Sequence, residues 1–294
     1  MTDQEVRAKI VELSENGEKN IRKLDIIANQ LLQMADINNP MAIEACKEFC
    51  LNNKLDLLTR LFVYRNIVRI GGQVERNFNE DNFKIEKPVY DVLMSELKKK
   101  IDTTNMKPLE NRNSNRIVIL TEQFLELRHG PTNCIGKIIK MINDNYPQIN
   151  EVYILTTNAQ LPEVTLSDKY AFSYRKPPIE EKELNTVLDH FKIDRCGVGY
   201  IANDDLKFIP RLAHFTELVY DLNPCKVISI GMRNYLAELV SDFIEVYGIT
   251  FDDDDKDANV QHIIVLDEKK AKEKNRMEFT MEEYYKKMME YIIG

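Results

Sequence analysis

The first hundred residues follow a helical pattern. Apolar residues recur every three or four positions, as at Leu24, Ile27 and Leu31, and this spacing places them along one face of a helix. Turn-forming residues such as Gly71-Gly72 interrupt the pattern. The sequence therefore predicts an all-helical domain of four or five helices over residues 1–102.

The pattern is lost between residues 103 and 115. This segment, TTNMKPLENRNSN, is polar, contains Pro108 and shows no apolar period. Such a composition is typical of a linker. We therefore expect the boundary between two domains in it.

From residue 116 to residue 294 short apolar runs alternate with helical stretches. The predicted strands are 116–121, 151–156, 170–174, 196–201, 226–230 and 262–266, with 246–250 as a weaker candidate. The predicted helices between them are 132–145, 179–191, 205–221 and 234–245, and an amphipathic helix at 280–292 follows the last strand. Continuous apolar strands separated by helices indicate parallel strands buried on both faces. We predict an α/β domain with a Rossmann-like, doubly wound, mostly parallel sheet.

Composition excludes several classes of protein. The net charge is −8 and no run of eighteen apolar residues occurs, so we expect no nucleic-acid partner and no membrane span. The amino terminus is acidic and amphipathic, unlike a secretion signal, which together with five cysteines in an odd count predicts a cytoplasmic protein with reduced thiols.

No cofactor is expected from the motifs. The G-x-G-x-x-G spacing follows none of the strands, and the aspartate run at 251–257 indicates a solvated loop in preference to a cation site. We expect neither a dinucleotide nor a metal. His262 is expected to be an ordinary packed or surface histidine.

The loop after the first strand is the first candidate site. It ends in Arg128, His129, Gly130, Pro131 and Thr132 at the start of a helix. Pro suits the first helical position and Gly permits unusual backbone angles, so free N–H groups of the helix start would face the cleft. We expect an anion or a sugar hydroxyl to bind there; the alternative is a long solvated surface loop.

The loop after the strand at 226–230 is the second candidate. It contains Gly231, Arg233 and Asn234. Backbone amides and the Arg233 guanidinium would hold a negative group. Equally, Gly231 would serve only as a turn and Asn234 only as a helix N-cap. If both loops bind, they must be neighbours at the carboxyl edge of the sheet.

Two segments of the second domain resemble a known family. RIVILTEQFLELRHGPTNCIGKIIKMI followed by EVYILTTN, and later KVISIGMRNYLAELVSDFIEVYGIT, resemble the N-terminal Rossmann-like domain of bacterial glycosyltransferases of the GT-B architecture. The resemblance covers residues 116–266, about half of the chain. It implies the acceptor side of an enzyme that uses a nucleotide-sugar donor.

The resemblance also implies roles for individual residues. His129 would be the catalytic base, and Arg128, Gly130, Thr132, Gly231, Arg233 and Asn234 would line the cleft. In this family a second Rossmann domain holds most of the donor contacts, so we expect a further domain or subunit to complete the site and the 294-residue chain alone to be inactive. The alternative is a non-catalytic ligand-binding or protein-interaction module whose helical domain recruits a partner.

Overall fold

The computed structural model describes twelve stretches of the chain. They are residues 4–5, 8, 31–32, 40–78, 87–103, 106–108, 110–157, 181–202, 206–231, 234–251, 260–265 and 281–294. The chain divides into two compact units, the first built around Met1–Lys100 and the second around Ile101–Ala159 and Lys176–Gly294.

The first unit is helical in its described part. Its helices are α1 (Pro40–Leu51), α2 (Leu57–Phe78) and α3 (Lys87–Ile101). Arg60 is buried between them at 1% exposure. Its guanidinium pairs with the Glu96 carboxylate, and Nη1 also donates to the Cys50 carbonyl at 3.2 Å. Burial of this charge is tolerated because it is paired and hydrogen-bonded.

The second unit contains a six-stranded sheet. The strands are β1 (Asn113–Thr121), β2 (Glu151–Thr156), β3 (Gly197–Ile201), β4 (Pro224–Ile230), β5 (Val246–Thr250) and β6 (His262–Val265). Their order is β3-β2-β1-β4-β5-β6, and every pairing is parallel. The prediction of an α/β, Rossmann-like parallel sheet is confirmed.

Five described helices accompany the sheet. They are α4 (Gly130–Asn145), α5 (Glu181–Phe191), α6 (Phe208–Leu222), α7 (Tyr235–Val240) and α8 (Met281–Ile293). The central strand β1 is buried because β-branched residues cover both of its faces: Ile117, Val118 and Ile119 are each 0% exposed. The apolar face of α4 and residues Met289 and Ile292 of α8 belong to the same core. α4 connects β1 to β2, so the helix start lies at the carboxyl end of β1.

Several element boundaries differ from the predicted ones. β1 begins at Asn113, inside the predicted linker, because the Asn113 N–H donates to the Asn223 carbonyl at 2.8 Å and thereby joins the sheet. α7 ends at Val240, five residues earlier than predicted. The chain continues from there as a turn in which the N–H groups of Phe243 and Ile244 both donate to the Val240 carbonyl. The predicted strand at 170–174 lies outside the described residues.

Among the described residues, no helix combines the length and the apolar character needed to cross a membrane.

Candidate functional site

The strand order creates a switch point between β1 and β4. The chain runs outward from β1 to β3, then returns to β4 on the other side of β1. The last residues of these two strands, Thr121 and Ile230, are register partners. In open parallel sheets, ligands bind in the crevice outside the carboxyl ends at such a reversal. The two predicted loops leave the sheet at this place, on neighbouring strands.

The first loop is fastened to the strand ends by threonine hydroxyls. Thr121 Oγ1 donates to the Gln123 carbonyl at 2.9 Å, and Thr156 Oγ1, at the end of β2, donates to the Glu122 carbonyl at 3.1 Å. The His129 N–H donates to the Glu126 carbonyl at 2.9 Å, which closes a turn just before α4. The loop therefore has a defined backbone course up to the helix.

Thr132 connects the loop to the first turn of α4. It is 0% exposed. Its Oγ1 accepts a hydrogen bond from the Leu125 N–H at 2.9 Å and lies 3.2 Å from Nδ1 of His129. His129 is the N-cap of α4, with extended backbone angles and no side-chain capping bond. The imidazole is thus held by a buried hydroxyl at the helix start, where free N–H groups lie.

Both chain neighbours of His129, Arg128 and Gly130, are exposed. Gly130 does not use the backbone freedom that glycine permits, because Gly231 is the one glycine with a positive φ among the described residues. A Cβ added at Gly130 would meet no atom within 4 Å. Pro131 already fixes the backbone at the first turn.

The second loop does require a glycine. Gly231 has a φ of +96° at the end of β4, a conformation that strains any L side chain. Asn234 caps α7, because its Oδ1 accepts from the Leu236 N–H at 3.1 Å. The N-cap role, which was the alternative to a ligand-binding role for Asn234, is thereby confirmed. Arg233, the cation predicted for this loop, lies outside the described residues.

Sequence reasoning missed a pair of buried amide donors. Nδ2 of Asn234 and Nε2 of Gln123 are both buried without a hydrogen-bond partner within the described structure. Gln123 follows β1 and Asn234 follows β4, so the two amides belong to the two neighbouring loops. Buried polar groups are usually hydrogen-bonded, and one without a partner calls for an explanation such as a ligand. The position of Gln123, two residues after a predicted strand, was the available signal.

No group of three or more potential metal ligands occurs within the described stretches. At the switch point the described residues offer hydrogen-bond donors, the His129 imidazole and the exposed cation of Arg128.

Comparisons with known proteins give no family. No protein-family model matches the chain. No curated protein and no solved structure matches it either. Functional assignment accordingly depends on the switch point itself.

Proposed function

We propose that the second unit is the acceptor-side part of a glycosyltransferase that works with a nucleotide-sugar donor. The observation that carries this proposal is the pair of unsatisfied amide donors, Gln123 and Asn234, on neighbouring loops at the switch point. Donors of this kind are satisfied by ligand oxygens, and a sugar supplies several hydroxyl oxygens that accept hydrogen bonds.

His129 is the base of the proposed reaction. To accept a proton from an attacking hydroxyl, its Nε2 must carry a lone pair, so Nδ1 must hold the ring proton and donate to Thr132 Oγ1. The contact of 3.2 Å between these two atoms is compatible with that tautomer, which the proposed role of His129 requires. Thr132 Oγ1 then accepts from both Nδ1 and the Leu125 N–H, using both of its lone pairs. Histidine is suited to this task because it changes charge near neutral pH.

Arg128 supplies charge in the proposed site. It is exposed and directly precedes the N-cap of α4. A guanidinium and a helix start both favour an anionic group, such as a phosphate of the donor or a carboxylate of an acidic sugar.

Calorimetric titration tests the proposal. Nucleotide sugars and simple oligosaccharides are titrated into the wild-type chain, Arg128→Ala and His129→Asn, with the exposed Lys182→Ala on α5 as a matched control. We expect Arg128→Ala to weaken binding of a charged ligand by about ten- to a hundredfold, the loss typical of one charge-assisted contact. Lys182→Ala should bind like wild type.

The outcome of a transfer assay separates the two functional classes. Binding together with sugar transfer, when a completing domain or subunit is supplied, supports the enzyme. Binding that persists without transfer in every combination supports the non-catalytic ligand-binding module. Equal affinities in all four proteins would refute the site.

A further inference from the structure

A second cluster of reactive side chains lies at the opposite end of the strands. Lys226 is the third residue of β4, Tyr247 the second residue of β5 and His262 the first residue of β6. These are amino-terminal positions, whereas the proposed sugar site lies beyond the carboxyl ends. Glu245, just before β5, and Tyr291 of α8 complete the cluster.

Three of these residues form a continuous line of hydrogen bonds. His262 Nε2 lies 2.9 Å from Glu245 Oε1, and His262 Nδ1 lies 3.0 Å from the Tyr291 hydroxyl. The hydrogen bond from His262 holds the pKa of Glu245 at about 2, with Tyr247 and Lys226 acting in the same direction. An ionised carboxylate can only accept hydrogen bonds, so in neutral His262 the proton sits on Nε2. Nδ1 therefore accepts from the Tyr291 O–H.

The imidazole is fixed in this orientation by its neighbours. The His262 ring stacks on Tyr247, with 4.3 Å between centroids and 9° between planes. The Tyr247 hydroxyl donates to Glu245 Oε2 at 3.0 Å, and Lys226 Nζ donates to the same carboxylate at 3.3 Å. Hydrogen bonds and ring stacking thus hold the Glu245 carboxylate and the His262 ring in place. The Tyr291 side chain, in contrast, is 59% exposed. An accessible hydroxyl, a base and an orienting carboxylate in sequence are the arrangement of an activated nucleophile.

We propose that Tyr291, His262 and Glu245 form a nucleophilic site at which the Tyr291 hydroxyl accepts an acyl group from a neutral activated ester or thioester. The Tyr291 oxygen attacks the carbonyl carbon and forms a new ester bond. The bond from that carbon to the alcohol or thiol breaks, and the alcoholate or thiolate leaves. The phenolic proton passes to His262 Nδ1, and the resulting imidazolium is stabilised by the Glu245 carboxylate.

The charges of the cluster favour a neutral electrophile. Glu245 is ionised and would repel a phosphoryl donor. The one cation of the cluster, Lys226, is engaged by Glu245 and by the Tyr247 hydroxyl at 3.0 Å. An uncharged acyl carbon is not repelled by Glu245 and does not need a cation to bind it.

The test is acetylation of the full chain by p-nitrophenyl acetate, followed by peptide mass spectrometry at Tyr291. His262→Gln is the matched variant, because a carboxamide can still donate to Glu245 and accept from Tyr291 yet is not a base. We expect Tyr291 in the wild type to acetylate about a hundredfold faster than in His262→Gln, the lower end of the range for general-base assistance. Glu245→Gln should also slow the reaction. Tyr284, whose hydroxyl donates to the Val265 carbonyl at 2.8 Å, is an internal comparison that should acetylate slowly.

The pH profile of the wild-type acetylation rate tests base assistance by His262 without depending on whether a variant folds. Base assistance predicts a plateau in the acetylation rate between the pH ranges in which histidines and tyrosines ordinarily ionise, before phenolate accumulates toward about pH 10. A merely solvated phenol predicts one uninterrupted rise toward about pH 10. A profile without the plateau, or equal rates in wild type and a folded His262→Gln, would overturn the proposal.

Discussion

The buried hydroxyl of Thr132 accepts the N–H of Leu125 at 2.9 Å, and this single bond joins the loop after β1 to the first turn of α4. The two residues are seven positions apart. The same oxygen contacts His129 Nδ1, so one atom, Thr132 Oγ1, fixes both the position of the loop and the orientation of the imidazole.

Removal of the Thr132 hydroxyl should destabilise the second unit and disorder the candidate site. Thr132→Val keeps the shape but leaves the Leu125 N–H without its acceptor, which costs about 1–3 kcal/mol. Thr132→Ser retains the oxygen and is the matched control. Urea unfolding measures the free energy of unfolding, and the ligand titration measures the affinity of the candidate site. A Val variant as stable as the Ser variant would contradict this role.

The two candidate-site glycines should respond oppositely to alanine. Gly231→Ala places a side chain at a φ of +96° and should cost about 1–2 kcal/mol. Gly130→Ala meets open space, and the change should be neutral or slightly stabilising because alanine reduces the freedom of the unfolded chain. Thermal melts of both variants measure the difference. The backbone argument fails if Gly130→Ala is the more damaging of the two.

Arg195 should be poorly replaced by lysine. Its guanidinium donates to five carbonyls at the end of α4 and just after it, those of Asn143 at 2.8 Å, Ile142 at 2.8 Å, Ile149 at 2.9 Å, Tyr146 at 3.2 Å and Pro147 at 3.3 Å. A lysine ammonium lacks this planar fork. We expect Arg195→Lys to lose about 1–2 kcal/mol in urea unfolding, the low end of the range because Arg195 is an exposed residue. Arg128→Lys, the same exchange in the loop after β1, should leave stability unchanged; equal losses in the two variants would argue against a stabilising role of the Arg195 hydrogen bonds.

The Glu245 carboxylate should make stability fall in acid. Its pKa is lowered from the ordinary 4.5 to about 2, first by the hydrogen bond from His262. A depressed pKa stabilises the fold above pH 4.5, and this contribution is lost as the pH falls from 4.5 toward 2. The effect should stay below about 1 kcal/mol, because water screens a carboxylate that is 36% exposed.

Urea unfolding from pH 6 to pH 3 checks this dependence. Wild type should lose stability relative to Glu245→Gln across that range, since glutamine does not titrate. If the free energies of unfolding of the two proteins change in parallel with pH, the partners of the Glu245 carboxylate do not stabilise the fold.

The sequence predicted those features of the fold that depend on residues close together in the chain. Runs such as RIVILT and EVYILT predicted β1 and β2, because buried parallel strands need continuous β-branched residues. Asn234 was recognisable as a cap because N-capping depends on a few adjacent residues.

Long-range arrangements were not accessible in the same way. The strand order depends on pairings such as Ile117 with Lys226, which no local pattern encodes. His262 was expected to be an ordinary histidine, yet it joins Glu245 to Tyr291, residues that are 17 and 29 positions away in opposite directions. The unsatisfied amide of Gln123 became visible only once burial and partners were known.

The strand order also determines when in folding a ligand can first be bound. β1, β2 and β3 form one side of the sheet, and β4, β5 and β6 the other. The two sides meet at the β1–β4 pair, where Arg116 donates to the Leu222 carbonyl across 106 positions of chain. A closure of that length is entropically costly and forms slowly. The crevice between the two loops therefore forms only when both halves of the sheet have paired. A ligand that binds there would stabilise the completed sheet and slow the separation of its two halves.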